Sequence, residues 1–127
     1  MISKLRHLYR RFKSHRREAK KARERSPHWT AVQRAFHAAH PHCAGCGTLE
    51  DIQVHHRAPF HLHPELELDP KNLISLCMSK TECHLRIGHG DFFKAWNPDV
   101  LPDAAEALAH PERMELVWKR AKAGRKQ

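Results

Sequence analysis

Cysteine and histidine are the residue types in this 127-residue sequence whose spacing can do chemistry. Cys43 and Cys46 form a CxxC pair, and Cys77 and Cys83 form a second, wider pair that begins thirty-one residues after Cys46. Four thiolates satisfy zinc in a closed tetrahedral site, so the pattern predicts a structural Zn2+ that ties two turns together. Five residues separate Cys77 from Cys83 where two to four are usual, so Met78 to Glu82 must bulge outward. Buried free thiols and a redox-active CxxC are the competing readings. With all four cysteines engaged such a zinc has no open position, and any metal-assisted reaction must be sought at other residues.

The histidines supply those residues. His55 and His56 stand together at the end of an alternating stretch, and His84 and His89 follow the second cysteine pair. Adjacent side chains on a strand point to opposite faces, but a slight bend at its end lets one bind a metal while the next addresses water. Imidazole suits a transition metal and, with water and phosphate oxygens completing the shell, magnesium. His40, His42, His61 and His63 are equally polar and nearby, and nothing in their spacing assigns them chemistry.

Short elements must position these groups. Ile52-Gln53-Val54-His55 and Leu73-Ile74-Ser75-Leu76 read as strands, and residues 57–72, with Pro59, Pro64 and Pro70, as an irregular loop. Leu62, Leu66 and Leu68 are expected to pack that loop onto the domain. Ser26 and Pro27 predict a helix start, with Trp29, Val32, Phe36 and Ala39 as one buried stripe ending before Pro41. Cys83 to Ile87 suits a short helix. Residues 103–109 and 111–122 suit C-terminal helices, the second displaying Met114, Val117 and Trp118.

In this order the residues resemble the HNH endonucleases, whose ββα-metal (His-Me finger) motif joins two strands and a helix around one divalent ion. The matching segments are Cys43-x-x-Cys46, Val54-His55-His56-Arg57-x-Pro59, Asn72-Leu73-Ile74-Ser75-Leu76-Cys77 and Cys83-His84. His63 to Leu68 and Cys83 to Gly90 look like a subgroup of small bacterial and phage-type members. The resemblance covers about residues 40–97. It implies an α+β fold, a small ββα-metal core with structural zinc flanked by N- and C-terminal helices. The division expected is a basic helical arm at 1–26, a nuclease domain at 27–102 and a helical extension at 103–127.

The same resemblance makes His56 the general base and His55 and His84 ligands of a catalytic Mg2+, Mn2+, Ni2+ or Zn2+. Asn72 would orient the His56 ring or brace the loop. His89 would be a further ligand only if the helix ends or bulges, because it lies five positions beyond His84, with Gly88 between, where some members of the family place such a histidine four positions on. The reaction implied is hydrolysis of a phosphodiester, leaving 5′-phosphate and 3′-hydroxyl ends. Arg57 and Arg86 are candidate phosphate clamps, with solvated surface positions as the alternative.

Charge points to the same partner. Residues 1–26 hold eleven Lys or Arg against Glu18 and Glu24, whereas residues 27–127 hold twelve basic and twelve acidic residues, so the arm carries the whole net charge of +9. Ile2, Leu5, Leu8, Tyr9 and Phe12 recur at helical spacing, and Arg10, Arg11, Arg16 and Arg17 are expected to meet the phosphates of DNA, with RNA as the alternative. No apolar stretch approaches the roughly 18 residues of a membrane span, so a cytoplasmic protein is expected, with export by an unseen route as the alternative. Two other functions compete: a non-catalytic zinc module that binds nucleic acid, and an adaptor that docks a partner on its C-terminal helix.

Overall fold

Alternation in one segment and a mostly apolar run in the other produce a two-stranded antiparallel sheet in the computed structural model, which describes residues 24–127. The arm helix and Arg10, Arg11, Arg16 and Arg17 lie outside those residues. Strand β1 is Ile52–His56 and strand β2 is Leu73–Cys77, paired from Ile52 opposite Cys77 to His56 opposite Leu73. The register places the paired histidines at the end of the sheet joined by loop 57–72 and Cys77 at the other. All five residues of β2 are buried, because the cysteine turn covers one face and the C-terminal half of the chain the other.

Helix α1, Trp29–Ala39, begins two residues later than the Ser26-Pro27 signal. Ser26 Oγ instead accepts from His28 N at 3.1 Å, capping a turn that leads into the helix. The expected buried stripe is half-buried at Trp29, Val32 and Phe36 and exposed at Ala39, since α1 lies mainly along β1 rather than under a second layer. The loop 57–72 contains two 3-10 turns, Pro64–Leu66 and Pro70–Asn72. Leu66 and Leu68 pack partly inward, whereas Leu62 is 47% exposed and does not hold the loop down.

After β2 the chain bulges as the Cys77 to Cys83 spacing requires, with Lys80 and Glu82 at positive φ, and enters a π-helical turn, His84–Gly88. Helix α2, Val100–Ala109, starts three residues before the expected boundary. Pro102 lies in its first turn, where a missing N–H costs no helical bond. A 3-10 turn at Pro111–Arg113 leads into helix α3, Met114–Gly124. Gly90, at φ +59, lets the end of the π turn meet α3: a Cβ there would stand 2.7 Å from the Ala121 carbonyl oxygen.

One core joins these pieces: Ile74, Leu76, Ile87, Val100, Ala104, Ala107 and Val117 cluster with Cys43, Cys77 and Cys83. Val117 is fully buried, and Met114 and Trp118 pack against the same cluster, so the apolar face of α3 is turned inward rather than displayed to a partner. Asn97, whose Asn-Pro pair reads as a break in the sequence, is instead a buried tie. Its Nδ2 donates to the Ile87 carbonyl (3.0 Å) and to Asp103 Oδ2 (2.8 Å), and its Oδ1 accepts from Asp99 N (3.0 Å). Asp103 in turn takes both Nε and Nη2 of Arg120. Asn97→Ala is expected to leave these buried partners unsatisfied and to lower stability by about 1–3 kcal/mol, read as a shift in the denaturant midpoint.

Candidate functional site

Two clusters of ligand-type side chains form, and their donor atoms lie within 4.8 Å of one another in each: Cys43, Cys46, Cys77 and Cys83, and His55, His84 and His89.

The cysteine cluster is built by the two turns the spacing anticipates. Thr48 O accepts from Cys43 N, and Cys43 O accepts from Gly47 N, folding the CxxC back toward the end of β2. Cys46 Sγ and Cys77 Sγ are 3.7 Å apart, close to the separation of about 3.8 Å that Zn–S bonds of about 2.3 Å give across a tetrahedron. Backbone N–H groups of Gly45 and Cys77 point at Cys43 Sγ (3.4 and 3.3 Å), and that of Cys83 at Cys77 Sγ (3.5 Å). A hydrogen bond from the Cys83 thiol, aided by those amides, lowers the Cys43 thiol to about 5, while the same bond and burial push Cys83 up. A thiolate is thus favoured at Cys43, and a divalent cation bound by such a set displaces the protons of its other thiols. The four cysteines can hold a metal ion such as zinc.

The histidine cluster depends on the π turn. His89 N donates to the His84 carbonyl five residues back, at 3.1 Å. The wider i to i+5 turn therefore sets His84 and His89 on one face despite an interval that an α-helix would splay. His84 Nε2 is 3.0 Å from His55 Nδ1 and 3.2 Å from His89 Nε2, against about 3.3 Å expected between nitrogens sharing a tetrahedral ion at about 2.0–2.1 Å. His89 Nδ1 donates to the Ala95 carbonyl at 2.6 Å, which leaves a lone pair at Nε2 facing His84. No neutral tautomer of His84 then puts a well-aligned proton into both of its contacts. A cation between the three rings removes the conflict, so the residues present fit a metal ion.

Burial, followed by the His89 ring, lowers His84 to about 4, and burial also lowers His55 and His89, keeping all three unprotonated and able to ligate. Gly88 makes the approach possible: a Cβ there would lie 3.1 Å from Leu76 Cδ1 and 3.3 Å from His55 Nε2. Gly88→Ala is expected to displace the His55 ring and weaken metal binding at the histidines by roughly 10- to 100-fold, as loss of ligand orientation does elsewhere. Titration with Ni2+ or Co2+ measures it, with unchanged affinity as the contrary result.

His56 points elsewhere. Its Nε2 donates to the Glu67 carbonyl at 3.0 Å, leaving Nδ1 with a free lone pair, and its ring stacks on Trp29 at 4.5 Å. His55, His56, His84 and His89 line one cleft of about 390 Å³ together with Arg25, Phe60 and His61. Asn72 does not touch His56. Its Oδ1 accepts from Ala58 N (2.8 Å) and its Nδ2 donates to the Ala58 and Leu66 carbonyls (3.1 and 3.3 Å), so it braces the loop that carries Glu67.

The two arginines proposed as clamps stand outside this cleft. Arg57 Nη1 donates to the Lys71 carbonyl, and Arg86 pairs with Glu82 and lies 4.3 Å over the Trp118 ring. Sequence reasoning passed over Arg25, Trp29 and Glu67. Glu67 is buried and receives Ser26 N and the Arg25 guanidinium, which ties the start of α1 to the His56 support. Only the cationic density of the arm hinted at Arg25, and no local pattern marks the other two. Among the described residues no helix is long and apolar enough to cross a membrane. No protein-family model, curated protein or solved structure matches the chain, so the geometry of these residues is what a functional assignment rests on.

Proposed function

We propose that this protein is a metal-dependent HNH endonuclease that hydrolyses phosphodiester bonds in DNA, with zinc in the cysteine cluster and a catalytic divalent ion at His55, His84 and His89. The observation that carries the reading is the pairing of a three-imidazole cluster with a fourth histidine, His56, whose Nε2 is tied to a carbonyl in the same cleft. Its support in the sequence is the order of segments that resembles the HNH family. An all-imidazole set favours Ni2+ or Zn2+ over Mg2+ or Mn2+. The ion, when bound, supplies Lewis-acid stabilisation of charge on phosphate oxygens.

His56 Nδ1 takes the proton of an attacking water. The Glu67 carbonyl holds the ring and stabilises the imidazolium that forms, as a hydrogen-bond acceptor behind a histidine base does. Trp29 fixes the ring plane from the other side. Asn72 positions Glu67 by closing the loop across Ala58 and Leu66. Arg25, at the rim, offers a cation to the phosphate.

The test incubates purified protein with plasmid and single-stranded DNA, with and without Mg2+, Mn2+ or Ni2+, beside His56→Ala. Cleavage that needs metal and is lost in the variant is expected. Equal activity of the two proteins, or none in the wild type with any metal, leaves the second reading, a non-catalytic zinc-containing nucleic-acid-binding module.

A further inference from the structure

The histidine cleft is not a closed bowl. A second cavity of about 410 Å³ shares His55, Pro59, His61 and His89 with it and extends the opening past Phe93 and Lys94 to Trp96. The two are arms of one groove with the histidine cluster at their junction. Among the described residues no acidic side chain lines either arm, while Arg25, ion-paired at 3.4 Å with the buried Glu67, lines the first and Lys94 the second. Aromatic rings line both arms. In the first the Arg25 guanidinium covers the Phe60 ring at 4.5 Å. Phe93 in the second is 55% exposed and sits 5.1 Å from the His89 ring. His55 and His56, by contrast, are recessed at 6% and 9% exposure.

We infer that the groove binds a single-stranded polynucleotide, with its backbone crossing the histidine cluster and an unpaired base stacking on Phe93. This deepens, and rests on, the nuclease reading. A cation in each arm suits a chain of phosphates, and an exposed aromatic face beside that path suits a base that is free to leave its neighbours. A duplex keeps its bases stacked inside and has none to offer to Phe93. Every base has a π face, so the groove selects for unpaired structure rather than sequence.

The experiment measures fluorescence anisotropy of a labelled mixed-sequence oligonucleotide, single-stranded and annealed to its complement. It uses the full chain carrying His56→Ala, so that the probe is not consumed. The single strand is expected to bind more tightly than the duplex. Adding Phe93→Ala should lower single-strand affinity by about 5- to 100-fold and leave duplex affinity unchanged. Phe93→Leu, which keeps apolar packing against His89, should lose affinity as alanine does, whereas Phe93→Trp retains it. Lys94→Gln should reduce the slope of log affinity against log salt by about 0.7 for the single strand.

Equal affinity for duplex and single strand, or a Phe93→Leu protein that binds the single strand undiminished, overturns the inference. Parallel cleavage assays on the wild type separate the two readings. Selective single-strand binding without cleavage removes the nuclease and leaves the groove, and cleavage with no preference for the single strand does the reverse.

Discussion

Treating the protein with a strong chelator is expected to unfold it, not merely to silence it. Cys43, Cys77 and Cys83 are at most 1% exposed and belong to the same cluster as Ile74, Leu76, Ile87 and Val117, so the sulfurs are part of the core rather than an appendage to it. Binding of a structural zinc by such ligands contributes about 10–16 kcal/mol at neutral pH, as large as the whole stability of about 5–15 kcal/mol of an ordinary domain. Its loss leaves four thiols crowded within 4.8 Å around an emptied centre. Circular dichroism during chelation, with zinc release followed by a chromogenic dye, should show metal loss and helix loss together. Cys46→Ser, which alters the one half-buried ligand, should lower the melting temperature and the zinc content in parallel. A reduced, metal-free protein that keeps its helices would refute the structural role.

His56→Ala is expected to reduce cleavage by about 10²- to 10⁴-fold, the usual contribution of a positioned general base, with little change in fold or in metal bound at the other histidines. Its pH dependence carries a sign that the environment dictates. Burial lowers the His56 pKa from its ordinary value, and the nearby Arg25 cation acts in the same direction; the Glu67 carbonyl and carboxylate only partly oppose them. The neutral ring, the form that can accept a proton, therefore persists below the usual histidine midpoint of about 6.5. The acid limb of cleavage should accordingly lie below pH 6.5. Burial lowers the three clustered histidines as well, His84 to about 4, so metal affinity measured across the same pH range separates their protonation from that of His56. A limb at or above pH 7 would mean that another group titrates. Arg25→Gln, which removes the neighbouring charge, should move the limb upward toward the ordinary value.

Much of the local architecture was legible in residue order. The CxxC turn, the strand ahead of His55 and the strand ahead of Cys77 appear where alternation and turn residues place them, each extended by one residue, because such signals act over a few neighbouring positions. The bulge between Cys77 and Cys83 followed from counting. The histidine interval was harder: five residues from His84 to His89 defeats an α-helix, and only the i to i+5 hydrogen bond of the π turn, closed over Gly88, brings the two rings together.

The sequence by itself determined which side chains were chemically equipped, the four cysteines and the histidines around them, because ligand type and short-range spacing are properties of the chain. The tertiary structure decided where they aim. It turned Met114, Val117 and Trp118 into the core, because burying that apolar face outweighs displaying it. Asn72 went to the loop backbone instead of His56, because the Ala58 and Leu66 groups need partners once buried. Arg86 was drawn to Glu82 and Trp118, and Arg25 was placed at the cleft in its stead. Those outcomes depend on residues tens of positions apart meeting in space, and no local pattern encodes such meetings.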